Sequence, residues 1–209
     1  MTRLILVRHG QTLWNASGKH QGHLDSPLTE LGIEQAEALA RRLKELPIDH
    51  VYSSDLQRAS ETAAILVRHH GIPVHKDLRL RERNLGIFQS LTREEFRLQH
   101  PEAYHEYMHG GPDFVIPNGE SFRQRTELAC ACLNELGRRH RHQTVLVVTH
   151  GGVLSGFFRT VVGISLKERR CFEIPNTGFN LFYLEKSHWK LAVWGDLTHL
   201  DGMVTEDDF

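Results

Sequence analysis

Leu4-Ile5-Leu6-Val7-Arg8-His9-Gly10-Gln11-Thr12 is the stretch from which the fold can be read. Four consecutive apolar residues, rich in strand formers and uninterrupted by charge, read as a strand buried on both faces of a parallel sheet. The pattern then breaks. Arg8 and His9 place a permanent cation and a titratable nucleophile where the strand ends, and Gly10 permits the tight turn or close backbone approach that follows. In an open α/β sheet that carboxyl end is where ligands bind. Taken alone, an Arg-His pair is more often part of an ordinary polar loop, and the later motifs overturn that reading.

Outward from this strand the chain alternates. Thr29 is placed to cap a helix in which Ile33, Ala36, Ala40 and Leu43 recur at helical spacing, running to about Leu46. Val51-Tyr52-Ser53 reads as a second strand, and Ser54 or Asp55 as the cap of a helix through Ala63 and Leu66. Pro73 to Asp77 suggests a third strand, Arg79 to Leu91 is Arg-rich and irregular, and Thr92 to about Met108 reads as one helix. Ser121 leads into a long helix through Leu128, Cys132 and Leu136. Thr144 to Val148 is another wholly apolar strand, ended by Thr149-His150-Gly151-Gly152 and followed by a helix through Phe157 and Val161. Gly178 to Leu184 and Trp189 to Trp194 close the chain as strands. The alternation predicts a three-layer α/β/α sandwich with a mostly parallel central sheet. With 209 residues and no linker composition, a single domain over 1–209 is expected, with about 80–121 as a lid or substrate segment. An acidic tail follows from about 200, carrying Glu206, Asp207 and Asp208.

Composition excludes several functions. Lys and Arg number 25 against 26 Asp and Glu, so no global field attracts nucleic acid or an anionic membrane. No segment has the length of a membrane span or the pattern of a signal peptide, which makes a cytoplasmic location the expectation. Cys130, Cys132 and Cys171 fit structural thiols in a reducing compartment.

Val7-Arg8-His9-Gly10 and Val148-Thr149-His150-Gly151 are two apolar strands ending in nearly the same way. If they are sheet neighbours, both imidazoles meet in one crevice, and Arg58 joins them from the first turn of the helix after Ser53. Two His and two Arg without an obligatory carboxylate repel one another unless an anion sits between them. A phosphoryl group suits that place, because guanidinium forks match its oxygens bidentately.

These residues, with Asn15, Gln21-Gly22, Asp25-Ser26-Pro27, Ser53-Ser54-Asp55-Leu56-Gln57-Arg58, Leu80-Arg81-Glu82 and Gly119-Glu120-Ser121, resemble the histidine phosphatase superfamily. The similarity is to its phosphoglycerate mutase-like branch with small phosphatase relatives, and it runs from about residue 3 to 200. The resemblance implies a phosphoglycerate mutase-like fold and metal-independent hydrolysis of a small phosphomonoester through a phosphohistidine on His9. Arg8, Arg58 and His150 would clamp the phosphoryl oxygens, and Glu82 would act as proton donor and acceptor. Asn15, Gln21, Gly22, Gly151, Arg81 and His199 would contact the substrate. No cofactor is implied; the implied partner is a small phosphorylated metabolite, and the chain itself is expected as a monomer or homodimer.

Three alternatives stay open at this point. A phosphoglycerate mutase needs closing segments and extra basic contacts, for which Arg79, Arg81 and Arg83 are candidates. The short span between Glu82 and Gly119, and Ser90 where a second glycine is expected after Gly86, favour the phosphatase. His105-Glu106-Tyr107-Met108-His109 has the spacing of a zinc hydrolase, although fifteen histidines make such a string unsurprising. A non-catalytic phosphopeptide or scaffold module would require an intact pocket without turnover.

Overall fold

Alternation within β1 (Thr2–Arg8) shows how the sheet comes to be covered on both faces. Leu4 and Leu6 join one buried cluster with Cys132, Leu133, Leu136, Leu154 and Phe157. Ile5 and Val7 join another with Ala36, Leu39, Ala59, Ala63 and Leu66. Successive strand side chains point to opposite faces, so a run without polar residues requires a helical layer on each side.

The computed structural model describes residues 1–203 and contains those layers; the acidic tail residues Glu206, Asp207 and Asp208 lie outside the described residues. After β1 come the short α1 (Leu13–Ala16), α2 (Glu30–Leu43), β2 (His50–Ser53), α3 (Gln57–Val67) and β3 (Val74–Lys76). Then follow α4 (Arg93–Gln99), α5 (Pro101–His109), α6 (Phe122–Arg139), β4 (Thr144–Thr149), α7 (Gly151–Val162), β5 (Phe179–Glu185) and β6 (His188–Asp196). The strands lie in the order β3-β2-β4-β1-β5-β6. The first four are mutually parallel, while β5 and β6 attach as antiparallel neighbours. Helices α2 and α3 cover one face, and α6 and α7 the other. No helix among the described residues is long and apolar enough to cross a membrane.

Three local expectations are corrected. The helix over 92–108 is two helices, because Pro101 has no N–H to continue the ladder and disfavours helical backbone at His100, which sits at φ −137° and ψ 61°. The helix from Thr29 ends at Leu43 rather than Leu46. Neither Ser54 nor Asp55 caps α3: its N-cap is Leu56, and the carboxylate of Asp25, 32 residues away in sequence, accepts from the Gln57 N–H at 2.8 Å.

Between β3 and α6, Leu85, Phe88, Phe96 and Ile116 form a third buried cluster with Tyr104 and Tyr107 packed against it. This segment therefore carries its own small core beside the sandwich. Ser90 takes a left-handed φ of 67° there, and its N–H donates to the His20 carbonyl at 2.8 Å. At the other side of the β1 end, backbone meets backbone: a Cβ on Gly10 would lie 2.4 Å from the Gly32 carbonyl oxygen, and one on Gly32 would lie 2.1 Å from that of Gln11.

Candidate active site

Parallel pairing of β1 with β4 sets Arg8 opposite Thr149. The residues that follow each strand, His9 and His150, therefore emerge side by side, with ring centroids 5.2 Å apart. The His9 backbone N–H donates to the Thr149 carbonyl at 3.0 Å. Both imidazoles are buried, at 3% and 0% exposure. His9 Nδ1 lies 2.8 Å from the Gly10 carbonyl. A carbonyl only accepts, so Nδ1 carries the proton and Nε2 holds the lone pair. Arg58 Nε donates to that Nε2 at 3.3 Å. Among the described residues neither ring nitrogen of His150 has a hydrogen-bond partner, which is unusual for a buried polar group.

The arginines are held from behind. Arg8 Nη1 donates to the Ile174 carbonyl at 2.7 Å. Arg58, 1% exposed, donates to the carbonyls of Leu24 and Gly22 and to Asp25, each at 2.8 Å. Asp25 thus binds both the Arg58 guanidinium and the N-terminus of α3. The cationic cluster is not free of carboxylates, contrary to the sequence-based expectation, but Asp25 engages Arg58 on the side away from His9 Nε2.

Glu82 reaches the N-terminus of α7. Its carboxylate accepts from the Gly152 N–H at 3.0 Å and from the Arg83 N–H at 2.7 Å. A Cβ at residue 152 would lie 2.2 Å from Glu82 Oε1, so the glycine is what admits the carboxylate. Thr12 ties two further candidates together: its backbone N–H donates to Asn15 Oδ1 at 3.1 Å, and its hydroxyl accepts from Gln21 Nε2 at 2.8 Å.

A cleft of about 1190 Å³ is lined by Arg8, His9, Asn15, Gln21, Gly22, Arg58, Glu82 and Gly151, while His150, fully buried, stands beside His9 and is not itself part of the lining. Two sequence candidates are elsewhere. Arg81 is drawn off the cleft by Asp55, with Nε 2.7 Å from the carboxylate. His199 lies behind the β1 end, its Nε2 3.5 Å from the Thr177 hydroxyl, and it does not line the cleft. The zinc-type string is also misplaced: His105 and Glu106 are exposed on α5, and His109 Nδ1 bonds the His105 carbonyl at 2.9 Å. Among the described residues no three or more His, Cys, Asp or Glu are grouped to hold a metal ion.

Sequence reasoning missed two walls of the cleft. Lys19, His20, Arg83 and Arg93 form one, and the loop from Lys167 to Ile174 forms another. Arg83 was singled out only as one of three alternatives. Arg79 is engaged by Asp77 and Glu135, whereas Arg83 rests over the Tyr107 ring at 5.3 Å and lines the cleft.

Burial, then the charges of Arg58 and Arg8, hold His9 well below the ordinary histidine range. Burial, then Arg58 and His9, do the same for His150. Both native imidazoles are therefore neutral where unfolded ones begin to protonate. Above about pH 6.5 neither state binds the proton and the two groups contribute nothing; below it the unfolded chain gains protons that the native one refuses. Stability should fall with pH below 6.5, by about 1.4 kcal/mol per unit for each of the two. Urea titrations between pH 7 and 5 check this: His150→Asn should flatten the slope, and an unchanged slope would refute the assignment.

Comparison with known proteins agrees with this geometry. The profile of the histidine phosphatase superfamily (branch 1) matches residues 4–197. The chain belongs to the histidine phosphatase superfamily. It is 41% identical over 202 residues to phosphoglycerate mutase-like protein 4 of Arabidopsis thaliana, covering 95% of this chain and 86% of the relative. To the metal-independent phosphoserine phosphatase of the same plant it is 37% identical, covering 97% and 85%. Among solved structures, Bacillus stearothermophilus YhfR superposes with a TM-score of 0.89 at 33% identity, covering 96% of this chain and all of the other. The sandwich is thus of the phosphoglycerate mutase-like type that these histidine phosphatases share.

Proposed function

We propose that the protein is a metal-independent phosphatase of small phosphomonoesters that acts through a phosphohistidine on His9. The observation that carries this is the imidazole itself: neutral, oriented by Gly10, with its Nε2 lone pair turned to the Arg58 N–H at 3.3 Å on the wall of a cationic cleft. In the first step Nε2 forms a bond to phosphorus as the ester P–O bond breaks, and Glu82 gives its proton to the departing alkoxide. In the second, water attacks phosphorus, the N–P bond breaks, and Glu82 takes the proton. Arg8, Arg58 and His150 stabilise the charge on the equatorial oxygens, the task that metal ions perform in other phosphoryl-transfer enzymes. Asn15 and Gln21 complete the rim on the α1 side.

The segment over 80–121, with its own core, acts as a lid whose Arg83 wall faces the substrate, within a single domain. Three free cysteines suit a reducing, cytoplasmic setting. Likeness to the metal-independent phosphoserine phosphatase supports hydrolysis. The Lys19, Arg83 and Arg93 wall is the feature that favours the second reading, a mutase, because it could hold a phosphorylated acid while it reorients. A phosphomonoester panel with product analysis decides: released phosphate supports the phosphatase, and dominant isomerisation of 3-phosphoglycerate overturns it.

The proton role of Glu82 makes a separate prediction. Glu82→Gln and Gly152→Ala, the second by displacing the carboxylate, should slow hydrolysis of alkyl phosphates by about 100-fold or more. p-Nitrophenyl phosphate, whose leaving group departs without a proton, should be affected far less. Equal losses on both substrates would remove Glu82 from that role.

A further inference from the structure

The reaction proposed above occupies one end of the cleft. From Gly152, where Glu82 docks, α7 continues along the cleft; Ser155 and Arg159 follow at four-residue spacing on the same helix face, and both line it. Arg159 is only 3% exposed. One of its Nη atoms donates to the Ser165 carbonyl at 2.9 Å, its guanidinium lies 5.4 Å from the Phe172 ring centroid, and its Nε has no hydrogen-bond partner. Among the described residues no carboxylate forms an ion pair with it, and Glu168 acts on it only from a longer distance. Burial pulls this guanidinium below its ordinary value. A buried cation with an open donor and, among the described residues, no paired carboxylate is unfavourable until an anion arrives. The loop beyond α7 adds Lys167, Arg169 and Arg170 around the same end, against Glu168 and Glu173.

We propose that this far end is a second anion subsite, and that the preferred phosphomonoester carries a terminal phosphate or carboxylate on its alcohol side for Arg159 to receive. The inference rests on the reading of the His9 end as a phosphomonoester site. Seven steps of helix lead from Gly152 to Arg159, a backbone rise of roughly 10 Å at 1.5 Å per residue. Acids whose second charge sits two or three bonds from the ester are too short to span it. A substrate with an extended, doubly anionic body fits. A purely structural Arg159, tethering Ser165, would give no dependence on ligand length.

The test compares propanediol, hexanediol and decanediol bisphosphates, each with the alkyl monophosphate of the same length. Binding to the His9→Ala chain by calorimetry, which needs no turnover, is measured beside kcat/KM of the native chain. Hexanediol bisphosphate should exceed hexyl phosphate by about tenfold in both, with no comparable gain for the propane pair. Arg159→Met should erase that gain, and Arg169→Ser should reduce it. If Arg159→Met fails to fold, the length series on the native chain and Arg169→Ser still decide. The ω-carboxyalkyl phosphates, run in the same series, identify which terminal anion is taken. A gain that is absent or independent of length overturns the subsite, even with every monophosphate hydrolysed. Length-dependent binding without turnover supports the subsite and overturns the phosphatase reading instead.

Discussion

Replacing His9 by alanine should lower phosphatase turnover by about ten-thousand-fold or more, the scale seen when a covalent nucleophile is removed. The side chain lines the cleft and belongs to neither apolar cluster of the sandwich, so the loss should come with little change in fold. Rapid-quench mass spectrometry of the native chain should find a phosphoryl group on His9 during turnover, and none in His9→Ala. A phosphoryl group on another histidine, or undiminished turnover in the variant, would reject the nucleophile. His150 is the natural control: it lies 5.2 Å away and is equally buried, but neither of its nitrogens has the hydrogen bond that fixes the tautomer of His9.

Arg58 should be the costliest residue to replace in the cleft, in stability as well as in rate. Its guanidinium serves two backbone carbonyls, Asp25 and His9 at once. Arg58→Met leaves those carbonyls unsatisfied and Asp25 without its cation, which should cost about 3–5 kcal/mol. Denaturant unfolding measures that loss. Turnover should fall about 1000-fold as a clamp on the phosphoryl oxygens disappears. Arg58→Lys should rescue neither, since one ammonium cannot reach four acceptors set around a planar fork. Recovery of both by lysine would show that only the charge matters.

The parts of this molecule that could be read in the sequence are those fixed by neighbours along the chain. The β1 and β4 strands announce themselves as apolar runs, and because both end in His-Gly, sheet adjacency was enough to bring His9 and His150 together. Thr29 caps its helix from within its own turn, as its position suggested, and Ser121, read only as leading into a helix, does the same. The break at Pro101 was also local, and the rule for residues preceding proline would have found it. What the sequence did not reveal was decided by partners far away. Asp25 caps α3 from another loop, leaving Asp55 to take Arg81 and remove it from the cleft. His199 packs behind Thr177 because β6 carries it to the back of the β1 end. Arg159 was invisible, since an arginine late in a helix ordinarily signals nothing more than a favourable dipole contact. Only its burial beside a cationic loop distinguishes it.

The contact of Gly10 with Gly32 has a bearing on how such a protein can be altered. With carbonyl and Cα surfaces already touching, the turn that carries His9 has no slack, and any side chain larger than hydrogen at either glycine must push the nucleophile out of line. A library aimed at new substrates should therefore leave the edges of β1 and α2 alone. It should spend its diversity on the Lys19, Arg83 and Arg93 wall and on residues 166–173, where variation can change which alcohol is accepted without touching how the phosphorus is attacked.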